Sequence, residues 1–323
     1  MRELVAVDIG GTHARFAIAR VEAGRVDHLG EPAILRTGAH GGFESAWEAY
    51  RASAGVPLPP AAAIAFAGPA GGETVALTNN EWTISPSLLP ERIGVESLTL
   101  VNDFGAVAHA VAQLGDEQLR HVCGPESPLP REGVISIVGP GTGLGAAQLI
   151  RREGGYEVVE TEGGHIGFAP ADPFDDRLLA RLRARHGRVS AERIASGRGL
   201  VRIYEALAAE EGRPAGLHDE KALWSAALEG GDPLMAQALD RFCAALGAAA
   251  GDLALAHGAT AVVIAGGLGL RLADRLTQSG FARAFAAKGR FAARMERLPV
   301  KLITHPEPGL FGAAAAFARQ WSA

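Results

Sequence analysis

The chain has 323 residues, 48% of them hydrophobic and 21% charged, with a formal net charge of -5; these are the proportions of an ordinary globular protein, long enough for two domains of about 150 residues each. No basic stretch offers nucleic acid or anionic lipid a footprint, and no apolar run is long enough to cross a bilayer, so a small polar substrate is expected. Only Cys123 and Cys243 occur, far apart, and only three lysines, so neither a disulfide framework, a thiolate metal site nor a glycine-lysine-serine/threonine P-loop is encoded.

The first apolar run, residues 4–7, begins within a few residues of Met1 and leaves no room for a signal peptide, which reads as cytoplasmic. It leads into Asp8-Ile9-Gly10-Gly11-Thr12, and a second apolar run at 16–19 follows: strand, turn, strand. Glycines let backbone N–H groups converge without Cβ interference, and a threonine hydroxyl adds a donor, so the turn is a candidate phosphate cradle. A carboxylate placed just before it, Asp8, would repel phosphate unless a divalent cation lay between them. Its expected role is to hold Mg²⁺ through water, the alternative being a turn aspartate that bonds its own backbone.

Strands and short helices continue to residues 98–101. Phe104, Val107, Ala108, Val111 and Leu114 then mark a helix by their spacing. Asn102 and Asp103 stand at its start; one of them is expected to cap it, and two exceed what capping needs. After a Pro- and Gly-bearing stretch at 124–133, where the first part ends, the opening pattern returns. An apolar run at 134–138 enters Gly139-Pro140-Gly141-Thr142-Gly143-Leu144-Gly145, followed by a run at 146–150, a Gly154-Gly155 turn and a run at 156–159. Gly141, Gly143 and Ala146 also fit a dinucleotide fingerprint, but that motif must open a helix, whereas runs flanking Gly154-Gly155 read as a hairpin. Residues 173–258 read as mainly helical, with breaks at 197–199, 212–214 and 230–233. A strand at 261–265 then runs into Gly266-Gly267-Leu268-Gly269, and a strand at 300–304 and an alanine-rich helix at 311–321 close the chain.

The doubled cradle resembles the sugar kinase, actin and Hsp70 superfamily. Within it DIGGTHAR (8–15), VNDF (101–104), EGGHIGF (162–168), SAERIASGRGL (190–200) and HPEPGLFGAA (305–314) resemble, in that order, the bacterial ATP-dependent glucokinase family over nearly the whole chain. The resemblance implies an α/β protein of two RNase H-like (actin-like ATPase) domains with a cleft between them. Residues 1–115 and 303–323 would form the small sugar kinase domain, with the last helix packed back on it, and residues 116–302 the large one. The implied activity is ATP-dependent phosphorylation of glucose to glucose 6-phosphate, the first step of glycolysis. A kinase for another hexose or amino sugar, or a non-catalytic sugar sensor, is the alternative; a sensor would be marked by loss of Asp8 or Asp103, and both are present.

By the same resemblance Asp103 is the general base, and Asn102, Asp103, Glu162, His165 and Glu192 bind the sugar. Read alone, Glu192 is also a first-turn acid and His165 a turn residue. Asn80, in the loop at 78–82, would line the same pocket. Asp8, Ile9, Gly10, Gly11, Thr12, Gly141, Thr142 and Gly143 would hold the phosphates, and Gly266 and Gly267 the adenosine. His13 departs from the family, which more often has asparagine there. Residues 168–173 contain no cysteine, so the structural zinc of the repressor/open-reading-frame/kinase group is not expected. The cofactors implied are ATP and Mg²⁺, the assembly a homodimer, and neither nucleic acid nor membrane a partner.

Overall fold

The computed structural model describes residues 1–68, 74–76, 82–214 and 219–321, so Asn80 and the rest of its loop at 78–82 except Trp82 lie outside the described residues. The chain divides into two compact units. One comprises Met1–Gly115, Val158–Glu160 and His305–Ala323, the other Asp116–Glu157 and Thr161–Thr304.

In the first unit the strands are β1 (Arg2–Ile9), β2 (His13–Glu22), β3 (Arg25–Leu29), β4 (Ala33–Arg36), β5 (Ala61–Phe66), the short pair β6 (Val75–Ala76) and β7 (Thr83–Ile84), and β8 (Ser97–Asn102). The main sheet runs β3-β2-β1-β5-β8, with β4 also paired to β2. β1 is antiparallel to β2 and parallel to β5, which is parallel to β8. A strand's side chains alternate between two faces, and here the faces differ in size. Val5, Val7, Ile9, Phe16, Ile64 and Phe66 meet Phe43, Trp47 and Tyr50 of the helix Phe43–Ser53. Ala6, Ala17, Ala19, Ala61, Ala63 and Ala65 meet the terminal helix Pro308–Gln320 through Leu310, Ala313, Ala314 and Phe317. Small residues on both partners let that helix lie close to the strands.

The second unit repeats the plan with β9 (Leu119–Cys123), β10 (Gly133–Pro140), β11 (Leu144–Arg152), β12 (Gly155–Thr161, of which Val158–Glu160 group with the first unit), β13 (Ala261–Ile264) and β14 (Val300–Ile303). Its order is β12-β11-β10-β13-β14-β9. β10 is antiparallel to β11 and parallel to β13, which is parallel to β14, so the pairing repeats that of the first sheet and β9 adds an antiparallel edge. The second glycine turn therefore joins two antiparallel strands and opens no helix. β13 and β14 are buried throughout, as parallel strands covered on both faces should be. Helices Pro173–His186, Glu220–Glu229 and Pro233–Ala256 start on Asp172, Asp219 and Asp232, whose carboxylates accept first-turn amides; in two of them proline occupies the first position.

One expectation needs correction. Gly197–Gly199 does not interrupt a helix but opens one, Gly197–Glu210, and the non-helical stretch precedes it. The reason is steric: a Cβ on Gly199 would collide with the carbonyl of Ile194.

His109 lies on the helix Asp103–Gln113. Burial, aided by the positive charge of Arg319, lowers its pKa to about 4. The native state then binds fewer protons than the unfolded chain between pH 6.5 and 4, so stability present above pH 6.5 is lost as pH falls through that window, by up to about 3 kcal/mol. Urea unfolding of the wild type and His109→Gln at pH 7 and pH 5 should show the wild type losing more between the two. Equal losses would rule out His109 as the source.

Candidate active site

In the first cradle, the Gly10 N–H donates to His13 O (2.9 Å) and closes the β1–β2 turn. Thr37 fixes its far side, its N–H donating to Thr12 O (3.0 Å) and its hydroxyl to Gly11 O (2.9 Å). Carbonyl and N–H of one trans peptide point in opposite directions. With the carbonyls of Gly11 and Thr12 drawn toward Thr37, the N–H groups of Thr12 and His13 are aimed away from it, and Gly11 and Thr12 themselves are exposed. Sequence reasoning missed Thr37, because nothing near it in the chain announces a contact with residues 25 positions away.

Asp8 ends β1 directly opposite Arg15 of β2. Its side chain is 22% exposed, with Oδ2 3.9 Å from Arg15 Nη1. Burial pushes its pKa up to about 6, against the attraction of Arg15 and with a further push from Glu307. A carboxylate held so reluctantly in ionised form gains from a cation, and an oxygen donor beside an exposed glycine turn suits hard Mg²⁺. Among the described residues no group of three or more His, Cys, Asp or Glu is arranged to hold a metal ion. A magnesium carried in on phosphate and held by one carboxylate through water does not need one.

Asn102 and Asp103 divide the work at the end of β8. Asn102 caps the helix Asp103–Gln113, its Oδ1 accepting from Phe104 N (2.9 Å) and Gly105 N (3.2 Å) while its Nδ2 donates to Gly68 O (3.0 Å). Asp103 occupies the first helical position, with Oδ1 accepting from Phe104 N at 2.8 Å. Glu160, also missed from sequence, accepts the Asn102 N–H at 2.8 Å and lies where a Cβ on Gly105 would stand.

The second unit gathers three glycine motifs around the turn between β10 and β11. Gly141 N donates to Gly143 O, and Gly197 N donates to Gly141 O, both at 2.8 Å. By the same peptide geometry the Thr142 N–H points away from Gly197. Gly266 has φ +80°, and a Cβ there would stand 2.6 Å from Pro140 O, so only glycine fits. Gly267 follows it, exposed, in the short helix Gly266–Arg271.

Glu162, His165 and Glu192 form a cluster beside this turn. His165 Nε2 lies 3.9 Å from both Glu162 Oε2 and Glu192 Oε2. Glu192 Oε2 also accepts the Leu144 N–H at 3.1 Å, and a Cβ on Gly143 would collide with it. The double glycine between Glu162 and His165 has a packing cause, since a Cβ on Gly164 would collide with the Leu144 carbonyl. The five polar groups expected to bind sugar thus form two local sets, Asn102 with Asp103 and Glu162 with His165 and Glu192.

With two matching sheets and two glycine cradles in place, the whole-chain likeness is decisive: residues 4–320 match the sequence model of the family described as glucokinase. The chain belongs to the glucokinase family. It is 59% identical over 320 residues to the glucokinase of Zymomonas mobilis subsp. mobilis, with 99% of each chain covered. The crystal structure of a glucokinase from an Antarctic psychrotroph matches with a TM-score of 0.83 and 34% identity over 98% of each chain. A glucokinase from Balamuthia mandrillaris, solved with glucose, has a TM-score of 0.81 at 23% identity, covers 99% of this chain and 94% of its own, and bears on the fold alone. The fold is that of the actin-like ATPases, and the activity of this glucokinase family member is ATP-dependent phosphorylation of glucose to glucose 6-phosphate.

Proposed function

We propose that Asp103 is the general base that removes the proton of the glucose 6-hydroxyl as its oxygen attacks the γ-phosphorus of ATP and the bond to the β,γ-bridging oxygen breaks, releasing ADP. The observation that carries this is the division at the end of β8. Asn102 bonds the Phe104 and Gly105 amides and so caps the helix, whereas Asp103 only shares the Phe104 amide; the cap does not require a second acid, and the helix N-terminus favours the ionised carboxylate that a base must be. Replacement of Asp103, taken up in the Discussion, is the test.

In the same reading the two cradles hold phosphate, the N–H groups of Thr12, His13 and Thr142 being aimed for it, and Gly266 and Gly267 border the adenosine. Asp8 would hold Mg²⁺ through water, and the ion would neutralise phosphate charge as transfer proceeds. Asn102, Glu162, His165 and Glu192, together with Asn80, bind the sugar hydroxyls. Residues 1–115 with 303–323 act as the small sugar kinase domain and 116–302 as the large one. The protein works in the cytoplasm as a homodimer, with small molecules rather than nucleic acid or membrane as partners, and we assign it no structural zinc.

Glu162 and His165 are proposed to touch hydroxyls other than the reacting one. Glu162→Gln and His165→Ala should therefore raise the KM for glucose by about tenfold or more, with ATP binding in the absence of sugar little changed. Steady-state kinetics and calorimetry with ATP check this. Intact sugar affinity with lost ATP binding would mean that the sugar and nucleotide assignments are reversed.

A further inference from the structure

One guanidinium serves two carboxylates at the first cradle, and it serves them unequally. Arg15 Nε is 3.2 Å from Glu307 Oε2, whereas Nη1 is 3.9 Å from Asp8 Oδ2. The closer contact is an ion pair without hydrogen-bond geometry, since the buried Nε has no hydrogen-bond partner among the described residues. The Glu307 backbone is itself held: its N–H donates to His305 Nδ1 at 3.0 Å, and the residue stands at the N-cap position of the helix Pro308–Gln320, where its side chain makes no capping bond and is left to Arg15. Asp8 is hemmed in from the other side by the first turn of that helix, where a Cβ on Gly309 would stand 2.7 Å from its carboxylate. Arg15 and Asp8 face each other across the β1–β2 ladder. Nothing in that register prevents the guanidinium from closing on Asp8 as a two-point pair, the strongest geometry open to it. Such a pair would occupy the carboxylate oxygens that a cation's water shell needs.

We propose that Glu307 is a positioning residue that draws Arg15 away from Asp8 and so leaves the Asp8 carboxylate for the divalent cation that accompanies the nucleotide. This rests on the reading of Asp8 as the Mg²⁺ anchor.

The test is calorimetric binding of Mn²⁺·ADP to the wild-type protein and to Asp8→Asn, Glu307→Gln, Arg15→Gln and the Glu307→Gln/Arg15→Gln pair, with thermal unfolding of each. Glu307→Gln should weaken binding by roughly tenfold, as expected when a partly buried charge is closed off by a neighbour, with the KM for glucose unchanged. Removing Arg15 as well should restore most of the loss, because no guanidinium remains to close; a merely structural role for Glu307 would predict no such recovery. Arg15→Gln alone should bind at wild-type strength or more tightly, and this arm stands even if Glu307→Gln fails to fold. Weakened binding by a folded Arg15→Gln, or wild-type binding by Glu307→Gln while Asp8→Asn is impaired, overturns the proposal and leaves the Asp8 reading intact. Wild-type binding by Asp8→Asn would instead remove the Asp8 reading, and the proposal with it.

Discussion

Replacing Asp103 with asparagine should lower kcat by about two to four orders of magnitude while the protein still folds. Asparagine keeps the size of the side chain and an oxygen able to accept the Phe104 amide, which Asp103 Oδ1 bonds at 2.8 Å. The cap itself is supplied by Asn102 and is untouched. What is lost is the capacity to take a proton from the attacking hydroxyl. The KM for glucose should move far less than kcat, because a base acts mainly in the transition state. Near-normal turnover by a folded variant, judged by its melting curve, would remove Asp103 from the chemical step.

Gly312→Ala should have the largest effect on stability. In the terminal helix, glycine is ordinarily a weak residue, and alanine at an open helical position gains about 1 kcal/mol. Here the position is closed: a Cβ would collide with the backbone carbonyl of Ala106, in the helix that begins with Asp103. Backbone cannot rotate aside as a side chain can, so the two helices must part and give up packing among Ala106, Leu310, Ala313 and Phe317. The net loss should be about 2–4 kcal/mol, a fall in melting temperature of roughly 5–10 °C, with kcat reduced because the helix carrying the base shifts. A variant that melts at or above the wild-type temperature would show that the helices do not meet as described.

What could be read from the residues was local. The cores of β1, β2, β10 and β11 and the hairpin after the second cradle follow from alternation and glycine placement, and the helix at Pro173 starts where an aspartate precedes a proline. The Asn102-Asp103 pair showed that one residue was surplus to capping, but which one caps depends on backbone angles that a dipeptide does not reveal. Gly197–Gly199 was misread because glycine opens a helix there for the sake of a neighbour's carbonyl, which intrinsic propensity does not register. Thr37, Glu160 and Glu307 act on residues 25 or more positions away, and no local pattern encodes such contacts. Arg15 was within reach, since a tight hairpin after Asp8 puts it directly across the ladder. Asn80 lies outside the described residues.

The central claim is turnover, and it is tested most directly by measuring glucose binding calorimetrically and glucose 6-phosphate formation with Mg·ATP on the same preparation. Binding accompanied by steady production of glucose 6-phosphate and stoichiometric ADP is the expected result, with Asp103→Asn binding glucose but forming almost no product. A wild-type protein that binds glucose and forms no glucose 6-phosphate would contradict the kinase account and identify a sugar sensor instead.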